Sequence, residues 1–233
     1  LRPVNILFQM KFKPGKKRYN DYPTFFKTLF EERVQKLSID GGFTCPNRDG
    51  SKGVGGCSFC NNESFNPDYC RAVRGITEQI DEGIRFFARK YKGQRYLAYF
   101  QAYSNTYAPL DVLKLRYEEA LAHPMISGLV VGTRPDVVSK EILDYLEELA
   151  QRYYVCVEYG VESVNDTVLR QVNRGHDFAV AEQAIRATAG RGITIGAHLI
   201  FGLPGESRES MLEGAIRLCE LPIQVLKLHQ LQI

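Results

Sequence analysis

Six short apolar runs alternate with segments of helical periodicity along most of the chain, and no hairpin signal joins one run to the next. The strand-like runs are Arg33 to Asp40, Tyr96 to Gln101, Gly128 to Gly132, Tyr153 to Tyr159, Ile193 to Phe201 and Gln224 to Gln230. Between them lie helical patterns at Thr77 to Tyr91, Leu110 to Ala122, Ser139 to Gln151, Asn165 to Val172, Phe178 to Ala189 and Arg208 to Cys219. A further short helix is expected over Pro23 to Phe30. The first of the intervening helices places Ile80, Ile84, Phe87 and Ala88 on one face, with Thr77 as its expected N-cap. Strands joined by helices rather than tight turns run parallel, through right-handed crossovers. Several of the runs are continuously apolar, as strands are when helices cover one face and a core fills the other. The expected fold is therefore α/β, a partial (β/α)6 parallel barrel. The chain stops inside or just after the sixth run, so a truncated C-terminus is expected.

A length of 233 residues suits one large domain or a domain with a small extension, and 44% apolar residues is enough to build a core. The division expected is a basic N-terminal arm over 1–22 and a core domain over 23–233. No stretch reaches the roughly 18 apolar residues of a membrane span, and no secretory cleavage site follows the first residues. A cytoplasmic protein is expected, with no membrane partner. Met10 could be a natural start. The net charge of +3 decides little, but Lys11, Lys13, Lys16, Lys17 and Arg18 are grouped. The ordinary reading of such a group is a solvated, flexible arm; the sharper one is contact with RNA phosphates.

Six cysteines in such a chain argue against a disulfide framework. Three of them, Cys45, Cys57 and Cys60, lie within sixteen positions in a C-x11-C-x2-C pattern, with four glycines and a proline between the first two. Thiolates are the usual ligands of iron–sulfur clusters. A glycine-rich loop can wrap closely around a compact inorganic core and point backbone N–H groups at it. A structural zinc site wants four ligands, whereas a cubane held by three thiolates leaves one iron open. Cys70 could supply a fourth ligand; Cys156 and Cys219 are expected in the core. The loop follows the first strand, and parallel barrels place their chemistry at the strands' C-terminal ends.

With three cysteines ending in C-x-aromatic-C on a loop after the first strand, the sequence resembles the radical S-adenosylmethionine (SAM) superfamily. The usual first gap there is three residues. The gap of eleven here resembles the elongator-catalytic-subunit-like branch, and Lys36 to Gly50, KLSIDGGFTCPNRDG, is similar to the YhcC-type group within it. The resemblance runs from about Tyr19 to the end. It implies a [4Fe–4S] cluster on Cys45, Cys57 and Cys60, with SAM chelated to the open iron. It implies reductive cleavage of SAM and abstraction of a hydrogen atom from a substrate, with an electron donor such as flavodoxin or ferredoxin. The cofactor would carry the difficult chemistry, and the protein would position it and exclude water.

Residue by residue, the resemblance makes Phe59 the aromatic against the adenine. The Gln101 to Thr106 segment stands where the family has Gly-Gly-Glu for the SAM amino group; it departs from that motif, leaving Ser104 and Asn105 as candidates. Thr133-Arg134-Pro135-Asp136 reads equally as a functional segment or as a turn starting a helix. Glu162 with Arg174, twelve residues on, resembles the pair that holds the methionine part of SAM, and a guanidinium fork suits its carboxylate. Glu158 is a second candidate, because an acid at the end of an apolar strand needs a partner. His198 is implied near the ribose and Ile200 against the adenine, with Lys227 and His229 expected to line the same cavity. By analogy with the branch, the substrate would be a modified wobble uridine of transfer RNA. The reading from a different class is a zinc-stabilised RNA-binding module without catalysis, which would leave Glu162, Arg174 and the glycine-rich end of the fifth strand without a purpose.

Overall fold

A computed structural model describes residues 19–61, 66–89 and 94–231 of the chain. The basic run Lys11 to Arg18 lies outside the described residues. The chain opens with α1 (Tyr22–Phe30), whose N-cap Asp21 accepts a hydrogen bond from the Thr24 amide. Six strands then alternate with helices in the order β1 (Arg33–Ile39), α2 (Ile76–Ala88), β2 (Gln94–Phe100), α3 (Leu110–Ala122), β3 (Ile126–Thr133), α4 (Lys140–Ala150), β4 (Tyr154–Glu162), α5 (Asp166–Gln171), α6 (Phe178–Thr188), β5 (Thr194–Phe201), α7 (Arg208–Cys219) and β6 (Val225–Gln230). A single 3-10 turn, Pro135–Val137, sits between β3 and α4. Every neighbouring pair of strands is parallel, in spatial order β1-β2-β3-β4-β5-β6. This is the expected partial barrel, curled into a half-barrel.

Side-chain reach shows the curl. Strands sit about 4.8 Å apart, so in a flat sheet β1 and β4 would be separated by about 14 Å, beyond any lysine. Yet Lys36 on β1 forms an ion pair with Glu158 on β4, and Lys227 on β6 donates to the Tyr99 phenol oxygen on β2 at 3.4 Å.

The period of two along each strand divides the core. Tyr96, Ala98 and Phe100 of β2, Leu129 and Val131 of β3, and Val155 and Val157 of β4 face the helices in one large cluster. The alternate residues Leu97, Tyr99, Val130, Tyr154 and Cys156 face the barrel interior and pack against Phe26 of α1. The amphipathic α1 thus fills the lower interior, with Phe26 edge-on to Tyr154 at 5.3 Å between ring centroids. Burying such a ring is worth about 1.5–3 kcal/mol. Above that apolar layer the interior turns polar.

Two expectations are corrected. Helix α2 starts one residue earlier, with Gly75 as N-cap and no side-chain cap; the Thr77 amide and hydroxyl instead meet Glu119 of α3. Cys219 is exposed rather than in the core. It ends α7, where Leu218 takes the inward position.

Candidate active site

The C-terminal ends of the strands open into one cavity of about 700 Å³, lined among others by Cys45, Cys57, Phe59, Cys60, Ser104, Glu162, Arg174, His198 and Ile200. The cysteine loop forms its roof. Short-range bonds shape the loop: the Arg48 amide donates to the Cys45 carbonyl at 2.8 Å, the Gly56 amide to the Asn47 carbonyl at 2.8 Å and the Cys60 amide to the Cys57 carbonyl at 3.0 Å. Gly56 has φ +85, and a Cβ there would lie 2.9 Å from Arg48 Nε. Only glycine takes that conformation freely, so the turn into the Cys57 to Cys60 segment depends on it.

The loop is fastened to the segment after α5. Asn173 Nδ2 donates to the Gly56 carbonyl at 2.9 Å, and the Ser58 amide donates to the Val172 carbonyl at 3.1 Å. Fully buried Asn47 donates to Cys57 Sγ at 3.5 Å, and Arg174 Nη1 donates to the same sulfur at 3.6 Å. Arg48 donates to the Cys60 carbonyl at 3.1 Å. Burial pushes the Cys60 thiol up, opposed by the hydrogen bond and charge of Arg48. The cysteine end is therefore rich in guanidinium groups: Arg48, Arg134 and Arg174 all line the cavity. Such an arrangement suits thiolates bound to a metal cluster, which carry negative charge.

A second network reinforces the roof. Buried Arg134 grips Asp136 through Nε and Nη2, both at 2.9 Å, and Lys52 of the loop reaches Asp136 at 2.7 Å. Burial pushes the Asp136 carboxyl up, but Arg134 and Lys52 outweigh it and hold the carboxyl at about 2. The turn reading of this segment and a place at the site thus coexist. Pro135 opens the 3-10 turn while Arg134 faces the cavity.

Glu162 and Arg174 meet as a pair, 3.9 Å apart. Glu162 has φ 69, and the β4–β5 register shifts between Gly160 and Glu162. The bulge turns the Glu162 side chain into the cavity, as bulges do beside functional sites. Arg174 also donates to the Gly160 carbonyl. A Cβ on Gly160 would lie 2.9 Å from Arg174 Nη2 and would collide with Glu162. The close approach of this pair to the strand requires glycine there.

Below them lies a charged floor. Glu158, 1% exposed, accepts from Lys36 through Oε1 and shares a 2.9 Å hydrogen bond with His198 Nε2 through Oε2. Burial pushes this carboxyl up, but the His198 hydrogen bond and the Lys36 charge overcome it and hold the group well below the usual carboxylate range. Lys36 also lies over the rings of Tyr22 and Tyr99, at 4.4 and 4.6 Å.

Of the expected SAM contacts, the structure brings Phe59, Ser104, Glu162, Arg174, His198 and Ile200 around the cavity. Asn105 lies behind the wall. It is fully buried, its Nδ2 donates to the Gly132 carbonyl at 2.8 Å, and its own carbonyl accepts from Tyr117. Cys70 is buried near Asp40, away from the cavity lining, and burial and the Asp40 charge raise its thiol to about 12. Among the described residues no three Cys, His, Asp or Glu side chains converge tightly enough for a single metal ion. The three cavity thiols are all free of disulfides. Several buried polar atoms at the cavity, including Ser104 Oγ, Arg174 Nε and Arg134 Nη1, have no hydrogen-bond partner. Buried polar atoms are rarely left so, and an amino-acid-bearing cofactor offers the carboxylate and amine they lack. Sequence reasoning missed Tyr99, Tyr103, Arg48 and the Lys36 partner of Glu158. Tyr103 takes a positive φ of 60 that nothing in its local sequence announces.

A sequence profile of the Radical SAM superfamily matches residues 45–216, from the first cavity cysteine into α7. The chain belongs to the radical SAM superfamily. YhcC of Escherichia coli strain K12 is 43% identical over 205 residues, covering 88% of this chain and 65% of YhcC. The chain therefore spans less than two thirds of that relative's length. A tRNA uridine(34) acetyltransferase of Methanocaldococcus infernus is 34% identical over 95 residues, covering 40% of this chain and 17% of that protein. The structure of archaeal Elp3 from the same organism superposes with a TM-score of 0.62 at 16% identity, covering 84% of this chain and 45% of that one. The expected kinship with elongator-like proteins holds, and the fold is that of a radical SAM core. Members of this superfamily use SAM and an iron–sulfur cluster. Among the described residues no helix is long and apolar enough to cross a membrane.

Proposed function

We propose that Cys45, Cys57 and Cys60 hold a [4Fe–4S] cluster, and that the chain uses it to cleave SAM reductively and abstract a hydrogen atom from a modified transfer RNA uridine at the wobble position. The observation that carries the first part is that the three thiols share one cavity with the Glu162–Arg174 pair and His198. When bound, the cluster and SAM would supply reductive cleavage of the sulfonium and a carbon-centred radical oxidant. The protein's own groups do the positioning. Arg174 offers a fork for the SAM carboxylate, Glu162 an acceptor for the amino group beside Ser104, and His198, held by Glu158, a fixed ring toward the ribose. Phe59 and Ile200 offer apolar faces to the adenine.

The transfer RNA assignment rests on likeness to the uridine(34) acetyltransferase over 95 residues. It rests also on the grouped cations Lys11 to Arg18, which suit contact with phosphates without reading sequence. An external one-electron donor such as flavodoxin or ferredoxin completes the reading.

The test is anaerobic reconstitution with iron and sulfide, followed by incubation with SAM, a reductant and total transfer RNA. The expected result is brown, iron-rich protein, formation of 5′-deoxyadenosine and a changed wobble nucleoside. Colourless, zinc-rich protein would favour the RNA-binding module without catalysis. SAM cleavage that no transfer RNA alters would remove the substrate assignment alone.

A further inference from the structure

Two cations that line the cavity, Arg48 and Lys227, form no ion pair with a carboxylate among the described residues. Glu162 is matched by Arg174, Glu158 by Lys36 and His198, and Arg134 by Asp136. Arg48 sits among the thiols, with its charge acting on Cys60 and Cys45. Lys227 has no such match. It lines the cavity, is half-buried, and among the described residues no carboxylate lies within 4 Å of its ammonium. Its neighbours within hydrogen-bond reach reduce to the Tyr99 phenol at 3.4 Å. The acids whose charge acts on it, Glu158 and Glu162, are already paired with other cations. Removing an ammonium from water without a counter-charge is costly, and an apolar side chain would fill the same wall at no such cost.

The companion on the strand is His229. It is two residues on and so on the same face, its ring lies 5.3 Å from that of His198, and it also lines the cavity. Burial and the Lys227 charge hold the His229 ring at about 4, so at neutral pH it offers one N–H rather than a second positive charge. Lys227 itself is lowered, chiefly by burial and also by Lys36, with Glu158 opposing.

We propose that Lys227 and His229 form a receptor for a carboxylate carried by the substrate, on the wall formed by β6. Two donors on one strand face match the two oxygens of that group. No arginine fork and no helix N-terminus, the usual holders of phosphate, is part of this wall. The receptor lies on the last strand, whereas the groups offered to SAM hang from the cysteine loop, the turn after β2, β4, β5 and the segment after α5. The cavity therefore presents one carboxylate site for the cofactor, at Arg174, and a separate one for the substrate. Assigning the second site to the substrate rests on the reading that SAM is held by Arg174.

The experiment uses the cluster-reconstituted chain in its oxidised state, with acetate as the minimal probe and inorganic phosphate as the competing anion. Binding is read by saturation-transfer NMR, and SAM affinity is measured in parallel. Wild type should bind acetate saturably with SAM present, and more tightly than phosphate. Lys227→Gln should weaken acetate by about tenfold or more, the size of losing one charged hydrogen bond, with SAM affinity within about twofold. His229→Asn should give a smaller loss in the same direction, and Lys227→Arg should recover most of the binding. Arg174→Ala should do the reverse, losing SAM and keeping acetate.

The proposal is overturned if wild type binds no acetate, if Lys227→Gln leaves acetate binding unchanged, or if phosphate binds more tightly than acetate. It is equally overturned if Lys227→Gln loses SAM as Arg174→Ala does, because the cation then serves the cofactor. Arg174→Ala that keeps full SAM affinity would instead undo the placement of SAM, and leaves the acetate result to be judged by itself.

Discussion

The two ends of the cavity are built by different means. The cysteine roof is held mainly by short-range backbone bonds within residues 45–60, with fastenings to the segment after α5 and one ion pair from Lys52 to Asp136. The floor is held by ion pairs between residues far apart in sequence, as Lys36 and Glu158 are, joining β1 to β4 across the curl of the sheet. Glycines at positive φ give the roof its tight turns. The floor is set by the barrel itself, and its charges pair with one another.

The contrast can be broken most sharply at the floor. Replacing Glu158 with Gln leaves the Lys36 ammonium without its partner in a buried setting, and breaking such a pair costs about 3–5 kcal/mol. Urea denaturation at neutral pH should show a loss of that size. The sign of the pH dependence follows from the direction of the Glu158 shift. Because its carboxyl is held below the ordinary range, its stabilisation is present above about pH 4.3 and is lost as pH falls toward the folded value. The gap between wild type and Glu158→Gln should therefore narrow in acid. A gap independent of pH would mean that the pair contributes packing rather than charge.

At the roof the expected effect is on ligand rather than fold. Arg174→Ala should weaken SAM binding by about 1.5–3 kcal/mol, the worth of a hydrogen bond to a charged group, as read by equilibrium binding. Iron content should survive. If iron is lost as well, the bond from Arg174 to Cys57 matters more than its offer to SAM.

Smaller effects separate helix starts that work from one that does not. Asp177 caps α6 by accepting from the Val180 amide at 3.1 Å, and Asp177→Ala should cost about 1 kcal/mol. Thr77 is not a cap, and Thr77→Ala should stay within about 0.5 kcal/mol in the same denaturation assay. A Thr77→Ala loss as large as that of Asp177→Ala would restore Thr77 as the start of α2.

The layered pattern of strands and helices was legible because burial on two faces imposes it on the sequence. The ends of α3 and α7 fall where the apolar period stops, at Leu110–Ala122 and Arg208–Cys219. Strand β4 runs three residues past the expected Tyr159, because the bulge at Gly160 to Glu162 carries no apolar alternation to announce it. That α1 would enter the barrel rather than lie on its surface was not legible. Its aromatic residues meet partners, such as Tyr154, that are remote in sequence. Glu158 stood out as an acid that needed a partner, but nothing in the local sequence names Lys36, 122 positions away. Ser104 and Asn105 are adjacent and chemically alike as candidates, yet one faces the cavity and the other the Gly132 carbonyl. That choice is made by the turn after β2, not by composition.

The central claim is that Cys45, Cys57 and Cys60, and no other cysteine, hold the cluster. Its most direct test is iron and acid-labile sulfide content, with the visible absorption spectrum, after anaerobic reconstitution of each Cys→Ala variant. Loss of iron, sulfide and the cluster absorption in Cys45→Ala, Cys57→Ala and Cys60→Ala, with full retention in Cys70→Ala, Cys156→Ala and Cys219→Ala, is the predicted result. Equal loss in Cys70→Ala would contradict it, since four thiolates would then close the site and leave no iron open to SAM.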